Sequence, residues 1–309
     1  ERNMIGTIYN QSSKFEAKKL GAALISKNIS NHLKENIREK NRDWLPLIYC
    51  WRGGQRSYAF ATILDQIGWN VGVVDGGYKS FRKHVSEFLN NNIENYFLIL
   101  ITGNTGTAKT KMLNLIEERN GQTIDLESLA NHKGSVFGSQ GQKQPSQKLF
   151  ETLIYDKVKN LKTGEPIFVE AESNKIGNLH IPKEFWKLMK SSPQIEISAT
   201  VEQRAQFLVE EYSEITSDLD LLEKQITSLS TIAGPKVVES WLQMAKNNEF
   251  VELAKQLIEK HYDPRYKRGL LRKKKGIFAT LKIEDISRKG LSLMADRILQ
   301  TANNRMNTL

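Results

Sequence analysis

The chain has 309 residues, with 45 Lys and Arg against 35 Asp and Glu and a formal charge of +10; that is long enough for two domains and favours a polyanionic partner. Its one cysteine excludes an intramolecular disulfide and fits a reducing, cytoplasmic setting. No apolar run approaches the ~20 residues that span a bilayer and no signal-peptide pattern opens the sequence, so no membrane partner is expected. Between residues 14 and 39, Phe15, Leu20, Ala23, Leu24, Ile29, Leu33 and Ile37 recur among Lys and Glu, which predicts one or two amphipathic helices.

Leu45-Pro46-Leu47-Ile48-Tyr49 reads as a short buried strand, and Phe60, Ile63, Leu64 and Ile67 then recur at helical spacing until Gly68. Cys50 therefore falls between a strand end and a helix N-terminus, where unpaired N–H groups and the helix dipole favour a thiolate. Gly53 and Gly54 let the loop turn its N–H groups toward the sulfur, and Arg52 and Arg56 suit a second, oxygen-bearing anion. The spacing Cys-x-x-Gly-x-x-Arg-Ser between strand and helix resembles the rhodanese active-site loop, which implies a cysteine that carries a chalcogen adduct. A buried, inert cysteine is the bland alternative. Since Glu1 leads directly into Arg2-Asn3-Met4-Ile5, the first strand of a rhodanese-like domain is expected to be missing from the chain as given.

Val71-Gly72-Val73-Val74-Asp75 reads as a second buried strand, and its turn Gly76-Gly77 is expected beside Cys50. A helix starting near Lys79 runs out in Asn90-Asn91-Asn92, the expected domain boundary. Tyr96 to Ile101 is an apolar run leading into Gly103-Asn104-Thr105-Gly106-Thr107-Ala108-Lys109-Thr110 and then a helical pattern. This is a P-loop in strand-to-helix context. Backbone N–H groups wrap a diphosphate, Lys109 adds charge, and the Thr110 hydroxyl can ligate Mg²⁺. Ala108 replaces the second glycine of that motif, where its methyl could tighten the loop or hinder a phosphate.

Downstream, Gln122 to Glu127 predicts a strand ending in the carboxylates of Asp125 and Glu127. The segment 130–139, with His132, Lys133 and Ser135, reads as a supporting functional loop. A helix follows Pro145, and Pro166 to Ser173 reads as a strand ending in acid, so Glu170 or Glu172 could hold Mg²⁺ through water or pair with Lys109. After another helix and the strand Ile195 to Ala199, no further strand is expected; the remainder reads as helical. Between Arg265 and Lys275 lie seven basic residues and no acid. With Tyr262 and Tyr266 as stacking platforms, Arg265, Arg268 and their neighbours form a candidate RNA contact, weighed against an ordinary solvated face.

The strings Cys50 to Ser57, Gly76-Gly77-Tyr78-Lys79, Asp125-Leu126-Glu127, Asn131-His132-Lys133-Gly134-Ser135, Gln144-Pro145-Ser146-Gln147, Glu172-Ser173 with Ile176-Gly177, and Tyr262-Asp263-Pro264 together resemble the bacterial tRNA 2-selenouridine synthase family. Ala108 and Ala171 depart from its pattern. The resemblance implies an enzyme that converts wobble 2-thiouridine of tRNA to 2-selenouridine through an S-geranylated intermediate. Its substrates would be geranyl diphosphate and then selenophosphate, with no tightly bound cofactor and Mg²⁺ optional. The expected fold class is α/β: a rhodanese-like parallel-sheet domain over 1–92, a P-loop α/β domain over 93–212 and a helical, basic C-terminal region over 213–309. Two readings compete: an ATP-dependent tRNA sulfurtransferase or kinase-like enzyme, and a non-catalytic RNA-binding protein that retains both folds.

Overall fold

A computed structural model of the chain describes residues 1–132, 143–171, 173–270 and 276–307. Two compact units emerge, Glu1–Ser86 and Glu87–Leu309.

In the first unit, helices α1 (Arg2–Gln11) and α2 (Lys14–Glu35) precede strand β1 (Leu47–Ile48), helix α3 (Gln55–Ile67), strand β2 (Gly72–Val73) and the start of helix α4 (Gly77–Asn91). The α2 start is set by Ser13, whose hydroxyl accepts the Glu16 N–H, and α3 stops at Gly68, a left-handed C-cap at φ +106. β1 and β2 pair in parallel, Leu47 opposite Gly72, and Ala17, Ile29, Ala61, Leu64 and Val85 are buried. The expectation of a buried β1 is corrected. Leu45, Leu47 and Tyr49 are 69%, 68% and 63% exposed, while Pro46, Ile48 and Cys50 are buried or half-buried. Alternate residues of a strand face opposite sides, and in this two-stranded sheet only one side is covered; Cys50 continues the covered side.

The second unit is built on a five-stranded sheet in the order β4-β5-β3-β8-β9, with every pairing parallel. The strands are β3 (Phe97–Thr102), β4 (Gln122–Ile124), β5 (Pro166–Glu170), β8 (Gln194–Ser198) and β9 (Ile277–Lys282), with β6 (Lys175–Ile176) and β7 (Leu179–His180) forming a small antiparallel hairpin. Helices α5 (Lys109–Glu117), α6 (Leu126–Ala130), α7 (Gln147–Lys159) and α8 (Lys183–Ser191) connect them. β3 is buried from Leu98 onward because neighbours cover both of its edges and helices its faces, as parallel strands require. Among the described residues, seven helices separate β8 from β9: α9 (Val201–Glu211), α10 (Ser213–Thr216), α11 (Leu219–Ser228), α12 (Ser230–Ala233), α13 (Pro235–Lys246), α14 (Phe250–Leu257) and α15 (Asp263–Leu270), with a π-helical turn at Ile258–Tyr262 between the last two. These helices close a core of their own around Trp241, Ile226, Leu222 and Leu253.

The expectation that no strand lies beyond Val201 is overturned by β9, which pairs with β8 from Gln194↔Ile277 to Ser198↔Lys282. β9 is an edge strand, only partly buried, so its sequence lacks the continuous apolar run that marked the inner strands. After it, α16 (Arg288–Met306) returns to the sheet and packs Leu291, Met294 and Ile298 into the cluster that holds Met112 and Ile116 of α5.

Candidate active site

Each unit carries one constellation of chemically active groups. In the first, the Cys50 sulfur accepts the Gly54 N–H at 3.2 Å and the Ser57 hydroxyl at 3.4 Å. Ser57 is buried and its hydroxyl also lies 2.9 Å from the Gly54 carbonyl oxygen; one proton serves both acceptors in turn. Burial opposes ionisation of Cys50, but hydrogen bonds from the Ser57 hydroxyl and from the N–H groups of Gly54, Arg52 and Ser57 outweigh it and bring the thiol down to about 6. Half-buried, the sulfur is both ionised near neutrality and reachable.

The loop is held by close backbone approach. Tyr78 N–H donates to the Cys50 carbonyl at 2.9 Å and Lys79 N–H to the Trp51 carbonyl at 3.0 Å, so the Gly76-Gly77 turn lies directly against the cysteine loop. A Cβ on Gly77, at φ +59, would stand 2.1 Å from the Cys50 carbonyl oxygen; one on Gly53, at φ +61, would stand 2.8 Å from the Gly76 and Gly77 nitrogens. Both positions therefore demand glycine. Arg52 and Arg56 are exposed and, among the described residues, neither is ion-paired, which leaves both guanidinium forks available to an anion at the thiolate.

In the second unit, β3 delivers the chain into the P-loop and α5 takes it out. The Lys109 ammonium donates to the Gly103 carbonyl at 3.1 Å, and Thr107 closes the turn by donating to the Asn104 carbonyl at 2.9 Å. Thr110 Oγ1 donates toward Glu170 at 3.2 Å and Glu127 at 3.5 Å. Ala108 adopts φ 57, ψ 31, the left-handed conformation that glycine favours, yet it is 4% exposed and belongs to the core cluster with Met112 and Leu113. Asp125 ends β4 as the N-cap of α6, accepting the Ser128 N–H at 2.8 Å; burial pushes its carboxyl up against hydrogen bonds from Ser128, Glu170 and Glu127. Glu127 therefore lies in the first turn of a helix, not on a strand. His132 follows α6, with its imidazole pushed down by burial. The candidates Lys133, Ser135 and Glu172 lie outside the described residues, as does the Arg268 side chain.

These groups border a cavity of about 600 Å³ whose floor is Gly103 to Lys111 and whose opposite wall includes Phe207, Leu208, Tyr212, Tyr262 and Tyr266. Both tyrosines, expected as stacking platforms near the basic run, thus line this cavity. Tyr262 packs against the helical core, and the half-buried Tyr266 hydroxyl, pushed up by burial, reaches the Thr102 side chain and the Gly103 backbone. Arg265 is exposed and lies 3.2 Å from His261 Nε2.

Two residues that sequence reasoning left unassigned organise the loop. Arg204 of α9, 3% exposed, forms a bidentate pair with Asp263 at 2.9 and 2.6 Å and donates to the Thr105 carbonyl at 2.8 Å; Asp263 also accepts from Asn104 at 2.8 Å. The available signal was an arginine directly before Ala205 and Phe207 on the buried stripe of an amphipathic helix. Gln144 and Gln147 act structurally, since their side chains bond the backbone of Ala130, Ile176 and Asn178, and of His180, respectively.

Residues 96–230 match the family described as the tRNA 2-selenouridine synthase AAA domain, and residues 14–84 match the rhodanese-like domain. Similar proteins named tRNA 2-selenouridine synthase occur in Psychromonas ingrahamii (31% identity, 79% of this chain and 64% of that protein), Shewanella denitrificans (29%, 90% and 82%) and Alcanivorax borkumensis (34%, 69% and 58%). The chain thus spans less than two thirds of the first and third of these relatives.

Proposed function

We propose that the chain is a member of the tRNA 2-selenouridine synthase family, which its two domain matches and its similar proteins support, and that it is an enzyme that replaces the sulfur of a wobble 2-thiouridine in tRNA with selenium, in two steps divided between its two constellations. In the first step, the thiocarbonyl sulfur attacks C1 of geranyl diphosphate; a C–S bond forms, the C–O bond breaks, and diphosphate leaves. In the second, selenium originating in selenophosphate adds at the base carbon and the geranylated sulfur departs.

The single observation that carries this reading is the Cys50 sulfur, ionised near neutrality by the Ser57 hydroxyl and loop N–H groups. Such a thiolate is a nucleophile, and the exposed Arg52 and Arg56 suit the oxyanion of the donor; attack at phosphorus forms an S–P bond, breaks the P–Se bond and releases selenide for the base carbon, after which water removes the phosphoryl group from the sulfur. In the other unit, the P-loop N–H groups and Lys109 face a cavity large enough for a diphosphate ester, and their charge is spent on the departing diphosphate. The Thr110 hydroxyl and the carboxylates of Glu127 and Glu170 are oxygen donors of the kind that hold Mg²⁺ together with phosphate oxygens; bound there, the ion would neutralise charge on the leaving group. The half-buried tyrosines are compatible with an unpaired base drawn from an anticodon loop. Lys109→Ala is expected to abolish geranylation of a 2-thiouridine stem-loop. Loss of ATP hydrolysis with geranylation intact would favour the kinase-like reading instead.

A further inference from the structure

The two segments that frame Cys50 carry more than the sulfur. Over residues 50–58 and 76–86 the chain places five basic groups, Arg52, Arg56, Lys79, Arg82 and Lys83, and no acid. The bias extends through the first unit: residues 1–86 hold 14 Lys and Arg against 7 Asp and Glu, which is +7 of the chain's +10. Aromatic rings are interleaved with these charges. Trp51, directly after the cysteine, lies 5.3 Å from Tyr78, and Tyr78 lies 6.3 Å from Phe81. The Lys79 N–H, bonded to the Trp51 carbonyl, fixes the two segments against each other.

Large rings are mostly buried in folded chains, yet Trp51 and Phe81 are 42% and 38% exposed. The half-buried Tyr78 stands between them and restrains both. A ring held by a neighbour and still open to solvent is a stacking surface, and two of them flanking a third suit two consecutive unpaired bases. Along α4, Lys79 and Lys83 are exposed and one helical turn apart, so both can follow a phosphate chain. An apolar partner would strip water from these charges without pairing them, whereas single-stranded RNA supplies bases to the rings and phosphates to the lysines. The P-loop cavity has the opposite balance. Among the described residues, Lys109 and Lys111 line it against Asp125, Glu127, Glu170 and Glu211, so a phosphate chain laid there meets more negative charge than positive.

We propose that the aromatic and basic strip beside Cys50 is the surface that holds the RNA for the selenium step. The target base stacks on Trp51 next to the sulfur, its neighbour stacks on Phe81, and Lys79 and Lys83 take the phosphates, which leaves Arg52 and Arg56 to the donor. The proposal rests on the reading of the chain as an RNA-modifying enzyme and deepens it by naming the footing of the RNA, in the first unit rather than on the basic run that begins at Arg265.

Fluorescence anisotropy of a labelled anticodon stem-loop with an unpaired 2-thiouridine, titrated with the full chain over a series of salt concentrations, tests it. Trp51→Ala should weaken binding about 5- to 150-fold, the loss that one base stack represents, and Trp51→Phe should keep most of the affinity. Phe81→Ala should cost at least about fivefold and carries the test should the Trp51 variant melt early. Lys79→Gln should lower the slope of log affinity against log salt by about 0.7. A fully paired hairpin of the same length should bind more weakly and lose little with Trp51→Ala; equal losses for both RNAs would overturn the stacking scheme. Stem-loop binding unchanged in both aromatic variants would overturn the proposal and leave the enzymatic reading intact. Self-association of the wild type that Trp51→Ala abolishes, with RNA affinity untouched, would make the strip a contact between copies and overturn it as well. If the wild type does not bind the stem-loop at all, the proposal and the enzymatic reading fall together.

Discussion

The ionisation of Cys50 follows from a contest between desolvation and a handful of hydrogen bonds, and it can be read directly. Alkylation by iodoacetamide proceeds through the thiolate, so its rate should reach half of maximum at a pH of about 6, against 9.0 for an ordinary thiol. Ser57→Ala removes the foremost of the favourable bonds and should move the midpoint upward. Because the folded value lies below the unfolded one, the ionised thiol stabilises the fold. That contribution is complete above the unfolded thiol's pKa and disappears as pH falls through about 6. A wild-type midpoint near 9 would contradict the hydrogen-bonding scheme. Ala108 poses a different question of sign. Its left-handed backbone costs roughly 1–2 kcal/mol relative to glycine, but glycine would forgo a buried methyl worth ~0.8 kcal/mol and lose ~0.5–1 kcal/mol more in chain entropy. The effects nearly cancel, so Ala108→Gly should leave Tm within about 4 °C of wild type, and a larger fall would mean that the core contacts of the methyl had been undervalued.

At the scale of elements, the P-loop is a strand, a turn and a helix held by a distant helix. Asp263→Ala leaves Arg204, 3% exposed, as an uncompensated buried charge, at a cost of about 3–5 kcal/mol; the melting temperature should drop by roughly 10 °C and diphosphate binding should weaken with it, both followed on the same sample. Unchanged binding would show that the loop holds its shape without that pair. The turn itself was legible because strand, phosphate-binding residues and helix are contiguous in sequence, and the cysteine loop was legible for the same reason. Arg204 and Asp263 were not, since they are separated by more than a helical subdomain and a lone arginine in a helix looks like surface. β9 escaped because an edge strand needs only one apolar face and its partner β8 precedes it by an entire helical insertion. The exposure of β1 was invisible too: Leu45, Leu47 and Tyr49 have the composition of a buried strand, and only the structure shows that their face of the sheet is open to solvent.

Taken whole, the molecule carries its two constellations in separate units, the cysteine loop in Glu1–Ser86 and the P-loop in Glu87–Leu309, and the proposed function gives each one step. The formal charge of +10 fits an RNA partner whose binding weakens as salt rises. Among the described residues no helix is long and apolar enough to cross a membrane. The division of labour is tested most directly by nucleoside mass spectrometry of a 2-thiouridine anticodon stem-loop incubated with geranyl diphosphate and selenophosphate, each alone and together. Cys50→Ala should accumulate S-geranyl-2-thiouridine and yield no 2-selenouridine, whereas Lys109→Ala should yield neither; loss of the geranylated nucleoside in Cys50→Ala would contradict the assignment of the two steps to two sites.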